Sequence, residues 1–200
     1  MMNIENFVDF VKIIGKLKKI ERTGWVTHPK IENPESVADH SFRTALLVWI
    51  ISEMEGLDTE KVMKMALIHD TGESIIGDWD RFAKKKLGED LKNKKEWEAI
   101  QQLSSLLNSD IKQEYLDLWK EYQLRETKEA KLVNQIDRLE LLFQIVEYKD
   151  LANDKKGWSR MWNDVRAEII DPDLKKIVEL LEKEVTKSQS KIKSNHHRTM

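Results

Sequence analysis

Two hundred residues and 23.6 kDa allow one domain with, at most, a small appendage. The absence of cysteine excludes disulfides, thiolate metal sites, iron–sulfur clusters and thiol catalysis. With 34 basic and 36 acidic residues the net charge is -2, which gives no general pull toward nucleic acid or anionic lipid, and no apolar run approaches the ~18 residues of a membrane span.

In chain order, Ile4–Ile20 repeats apolar residues at helical spacing, with lysines on the other face. Residues 22–34 hold Gly24, Pro29 and Pro34 and are expected to form a loop. Ser36–Met54 predicts a helix capped by Ser36, with Asp39 near its N-terminus. The unbroken apolar run Ala45–Ile51 predicts that this helix is central and surrounded. Thr59–Thr71 predicts a third helix, and Gly72–Asp78 a helical turn or loop. Phe82–Leu91 is rich in lysine and shows no clear pattern. Further helices are expected over Lys92–Leu107, Ile111–Tyr122, Thr127–Leu151, Trp158–Ile169 and Pro172–Val185. No strand or repeat stands out. The expected fold is all-α, one helical domain over residues 1–185, followed by a flexible basic tail over 186–200. That tail carries Lys187, Lys191, Lys193 and Arg198 without an acid and ends near His196 and His197. Nothing at the N-terminus resembles a secretory signal, so the expected location is the cytoplasm.

His40 and His69 each adjoin an aspartate, in Asp39-His40 and His69-Asp70. On a continuous helix His69, Asp70 and Glu73 project within an arc of about 100°. Asp137 sits beside an apolar stripe of Leu132, Ile136, Leu139, Phe143 and Val146. A carboxylate there is costly to desolvate unless paired or bound to a metal. Two imidazoles and two carboxylates, without sulfur, suit Mn, Fe, Co, Ni, Zn or Mg. The same residues also fit a plainer account: hydrogen-bonded core histidines, and an ion pair between Asp137 and Arg138. Asp39 is a candidate to orient His40, and Trp25 and Trp79 are candidate loop-borne tryptophans beside a substrate. Lys84–Lys86 fits either a solvated stretch or a guide for an anionic substrate. Trp49, Trp97 and Trp119 fit core or interface positions.

The chain resembles the HD-domain phosphohydrolase superfamily, whose signature is H…HD…D on helices, and within it the small 5′-deoxynucleotidase group. The resemblance rests on RTGWV at 22–26, NPESVADH at 33–40, KMALIHD at 64–70, ESIIGD at 73–78 and EAKLV at 129–133 leading to Asp137. It spans about Phe7 to Leu181. It implies an all-α HD-domain bundle in which His40, His69, Asp70 and Asp137 hold a divalent metal (Mn, Co, Zn or Mg) and Glu73 stands beside the attacking water. It further implies that Arg22 contacts phosphate, that Trp25 borders the nucleotide, and that Glu73 and Asp78 hold a second cation in some relatives. The implied reaction is hydrolysis of deoxyribonucleoside 5′-monophosphates by a metal-activated water, in a homodimer. The alternatives are another phosphate ester as substrate, or a non-catalytic metal- and nucleotide-binding protein. Thr71-Gly72 and the segment Trp79-Asp80-Arg81-Phe82 depart from the family pattern, so the resemblance carries no base preference.

Overall fold

A computed structural model describes residues 3–80 and 86–196, with side chains as far as 186. All the regular elements among the described residues are helices, and one isolated antiparallel bridge joins Glu21 and Ser36. Helix α1 (Ile4–Ile14) runs into a 3-10 turn (Gly15–Lys19). Then follow α2 (Thr23–Thr27), α3 (Val37–Glu55), α4 (Thr59–Ile68) and α5 (Glu73–Ile76). The remaining helices are α6 (Glu89–Ser104), α7 (Ser109–Leu124), α8 (Lys128–Glu147), α9 (Lys155–Glu168) and α10 (Pro172–His196). No helix among the described residues is long and apolar enough to cross a membrane.

Side-chain caps set the helix starts. Ser36 accepts from the Asp39 amide while Asp39 accepts from the Ser36 amide, a reciprocal capping box. Asp58, Asn108, Thr127 and Asp154 cap α4, α7, α8 and α9 from one side only, each accepting from a first-turn amide. The segment expected as loop contains the one-turn helix α2, tied down because Arg22 N–H donates to Glu35 O at 3.1 Å and Val37 N–H to Ile20 O at 2.8 Å.

The surrounded helix is α8, not α3. It packs against α3, α4, α7, α9 and α10. Ile136, Leu139, Leu142 and Ile145 are fully enclosed, and each contributes roughly 1.5–3 kcal/mol of transfer free energy. In α3 the inward face carries Val37, His40, Thr44, Ala45, Val48 and Ser52. Leu46, Trp49 and Ile50 from the apolar run turn outward instead. The run is continuous in sequence, but a helix distributes it around its whole circumference, and its neighbours cover one side only. A second apolar cluster joins Ile100, Tyr115 and Trp119 with Phe10 and Trp97.

The final helix does not stop near 186. Its backbone continues to His196, because Val185 is followed by no glycine or proline that would break it. The histidine pair and most of the Lys84–Lys86 stretch lie outside the residues whose side chains are described.

Candidate metal centre

Two helix faces and one turn deliver the site. His40 sits one turn into α3, Asp137 and Glu140 face it from α8, and His69 and Asp70 follow the end of α4. The α4 helix does not run on to Glu73. Its last carbonyls are taken by side chains: Ala66 O accepts from His69 Nδ1 at 2.6 Å, and Ile68 O from Thr71 Oγ1 at 2.7 Å. Tight i+3 bonds then carry the chain through Asp70–Ser74 into α5. Gly72 stays in the right-handed helical region, so the turn holds Glu73 firmly.

His40 is wholly buried between two carboxylates. Its Nδ1 meets Glu140 Oε2, and its Nε2 lies 3.0 Å from Asp137 Oδ1. The partner that orients His40 is therefore Glu140, not Asp39, which is committed to the capping box. Glu140 is also fully buried, and Arg43 Nε donates to its other oxygen at 2.7 Å. His69 spends Nδ1 on a backbone carbonyl, so its Nε2 carries the free lone pair. That buried atom makes no hydrogen bond of good geometry, although Asp70 Oδ2 stands 3.2 Å away. His40 Nε2 is 3.9 Å from the same Asp70 oxygen. Donor atoms of His40, His69 and Asp137 lie within 4.8 Å of one another.

These donors fit a metal. Ligands about 2.0–2.2 Å from one ion stand roughly 3–4 Å apart, and the His40–Asp137, His69–Asp70 and His40–Asp70 pairs do so at 3.0, 3.2 and 3.9 Å. An orphaned imidazole lone pair facing a carboxylate is repulsive unless a cation or proton lies between them. Burial and Arg22 push His40 down, yet Glu140 and Asp137 outweigh them and raise it to about 9. Burial pulls His69 down as well, and Asp70 raises it overall. Both shifts favour the protonated imidazoles, which are drawn to the carboxylates around them. Asp70 and Asp137 stay below the usual carboxylate range against their burial, Asp70 through His69 and Arg22, Asp137 through Arg138 and His40.

Glu73 and Arg22 stand beside the donors rather than among them. Glu73 is 3% exposed and its Oε2 has no hydrogen bond. Burial, then Asp70 and Asp78, push its carboxyl well above the usual range. The Arg22 guanidinium lies 2.8 Å from Asp70, 3.5 Å from Asp78 and 4.0 Å from Glu73. Asp78 accepts from the Thr23 amide at 2.6 Å and from the Thr23 hydroxyl, so it fixes α2 beside the site. A cavity of about 460 Å³ opens above these groups, walled by residues of α2, α6, α7, α8 and α9.

A family model described as an HD domain matches residues 14–178. The chain belongs to the HD-domain family. This HD domain is 34% identical over 179 residues to the 5′-deoxynucleotidase HDDC2 of Bos taurus, covering 90% of this chain and 85% of that one. It is 35% identical over 159 residues to the 5′-deoxynucleotidase hdd1 of Schizosaccharomyces pombe, covering 78% of each. Among solved structures it resembles a predicted metal-dependent phosphohydrolase from Magnetospirillum magnetotacticum. There the TM-score is 0.71 and the identity 27%, over 92% of this chain and 95% of that one. A conserved hypothetical protein from Pyrococcus furiosus gives a TM-score of 0.70 at 33% identity, over 88% and 99%.

Of the residues singled out from sequence, His40, His69, Asp70, Glu73, Asp78, Asp137 and Arg22 all come together in this HD domain. Trp25 differs from expectation. It lies on α2 rather than a loop and is 1% exposed. Its indole N–H donates to Glu35 at 2.9 Å, and its ring meets Tyr148 edge-on, so it forms cavity wall and core together. Trp79 lines the cavity half-buried, with its indole N–H on Ile76 O. Glu140 is the residue the sequence reading missed. Its signal was a second acid inside the α8 stripe, three residues after Asp137.

Proposed function

We propose that this HD-domain protein is a metal-dependent 5′-deoxynucleotidase that hydrolyses deoxyribonucleoside 5′-monophosphates to deoxynucleoside and phosphate. The observation that carries the reading is the placement of Glu73 and Arg22 beside a complete nitrogen–oxygen donor set at the floor of one cavity. Relatives named 5′-deoxynucleotidases, matched over most of the chain, support the substrate class.

His40, His69, Asp70 and Asp137 would hold the ion, and Mn, Co, Zn or Mg suits these donors. When bound, a divalent ion supplies a lowered water pKa and a counter-charge for phosphoryl oxygens. Glu73 takes the proton of the attacking water. Burial, Asp70 and Asp78 raise its pKa, which strengthens the carboxylate as a proton acceptor. Arg22 offers a planar fork to two phosphoryl oxygens, and Asp70 and Asp78 hold that fork in place beforehand. Met161, Val165 and Leu141 line the cavity and offer apolar wall to the nucleoside. Glu73 and Asp78 would hold a second cation, a role supported by the unbonded Glu73 Oε2. The protein works on free mononucleotides in the cytoplasm, and as a homodimer, a reading supported by the apolar outer face of α3.

The test is phosphate release from a panel of deoxy- and ribonucleoside 5′-monophosphates. Chelated enzyme receives Mn, Co, Mg or Zn, beside Asp70→Ala. Metal-dependent release that favours the deoxy series and vanishes in the variant is expected. Nucleotide binding without release from any monophosphate would instead favour a binding protein or another phosphate ester.

A further inference from the structure

One wall of the cavity has no part in the chemistry described so far. The first turns of α6 set Glu89, Lys92, Asn93 and Glu96 on one face at i, i+3, i+4 and i+7, and all four line the cavity. Lys92 stands out among them. Its side chain is only 12% exposed, and among the described residues its one ion-pair partner is Glu96, one turn along the same helix. An ammonium has three donors, so two remain for a ligand. Burial works against the charge, but Glu96, Asp70 and Glu73 outweigh it and keep Lys92 protonated.

The other cations around the cavity are differently disposed. Arg22 is shared among three carboxylates, and Arg138 pairs with Asp137 and Glu168. Arg125 and Arg160 are exposed. A phosphate dianion entering past Asp70, Glu73, Asp78 and Asp137 meets strong repulsion. Besides Arg22, Lys92 is a second largely buried cation with donors to spare on the cavity wall, able to offset that repulsion from the α6 side.

We propose that Lys92 is a phosphate-binding residue, its ammonium held by Glu96 and donating to the phosphoryl oxygens of the bound nucleotide from the α6 side of the cavity. This assignment rests on the nucleotidase reading. It makes α6 part of the substrate site as well as of the scaffold.

Inorganic phosphate, the product, is the probe. In the metal-loaded enzyme Lys92→Gln should raise both the inhibition constant of phosphate and KM by about tenfold or more, and Lys92→Arg should restore most of each. Unchanged phosphate inhibition and KM in Lys92→Gln would overturn the assignment, whatever happens to kcat or Tm. If the wild-type protein hydrolyses no monophosphate, the nucleotidase reading fails by itself. Lys92 is then judged by the Tm rise that phosphate gives the Mn-loaded protein. A smaller rise in Lys92→Gln than in wild type supports the assignment, and an equal rise overturns it. If Lys92→Gln does not fold, Lys92→Met and Lys92→Ala serve for the same two readouts.

Discussion

Glu140 decides which nitrogen of His40 faces the donor set. It occupies Nδ1 and leaves Nε2 toward Asp137 and Asp70. Carboxylates that hold a ligating histidine in this way are typically worth 10–100-fold in metal affinity. Glu140→Gln should therefore weaken metal binding by about that factor, measured by competition with a chromogenic chelator, while Glu147→Gln should change it little. Glu147 reaches only the exposed end of Arg43. Equal affinities for wild type and Glu140→Gln would show that packing alone orients the ring. That His40, His69, Asp70 and Asp137 come together was legible in the sequence, because rare histidines beside aspartates, and an acid next to an apolar stripe, are costly without a partner. Glu140 was not, because its partner lies a hundred residues away and Asp39, adjacent to His40, is the nearer candidate. Trp25 misled for a related reason. Glycine and prolines around it suggest a loop, but Glu35 and Tyr148, both distant in sequence or on another element, draw the ring inside.

Among the elements, α3 does two opposed things. Its inward face carries His40, Thr44 and Ser52, and its outward face carries Phe42, Leu46, Trp49, Ile50 and Met54. Phe42 is 72% exposed and Met54 81%. These residues span a stripe about 140° wide along the helix. A contiguous exposed apolar stripe marks an interaction surface more often than isolated apolar residues do. Under the homodimer reading a second copy covers it. The double variant Phe42→Glu, Met54→Glu should then sediment as a monomer at micromolar concentration, and its Tm should lose the concentration dependence that dimerisation gives the wild type. A monomeric wild type, or a variant that remains dimeric, would place any interface elsewhere. Periodicity showed that α3 exists and where it starts. It could not show which side faces in, because both sides of the run are apolar and only the position of α8 settles the matter. The extent of α10 was hidden differently: the change in composition near 186 brings no glycine or proline, so it marks a change of polarity and not the end of the helix.

Taken as a whole, the molecule stores like charge in its interior and balances it with protons that a metal would displace. His40 is raised from 6.5 to about 9, with Arg22 opposing the shift and Glu140 and Asp137 sustaining it over the cost of burial. Glu35 is raised to about 7, by burial first and then by Glu140. Both groups bind a proton more tightly when folded than when unfolded. The stability they confer is present at low pH and lost as pH rises, for Glu35 between about 4.5 and 7 and for His40 between about 6.5 and 9. Asp70 and Asp137 are shifted down, so their contribution is already complete well below neutrality. The chelated protein should therefore lose Tm steadily from pH 6.5 to 9. A bound divalent ion reverses the sign, because it competes with protons for the imidazoles and gains affinity as pH rises. With saturating Mn or Zn the same pH series should show Tm constant or rising, and titration calorimetry at pH 7 in buffers of different ionisation enthalpy should show proton release on binding. A chelated protein whose Tm rises across that window, or metal binding without proton release, would mean that His40 is neutral in the folded apoprotein and that the carboxylates around it are balanced by Arg22, Arg43 and Arg138 instead.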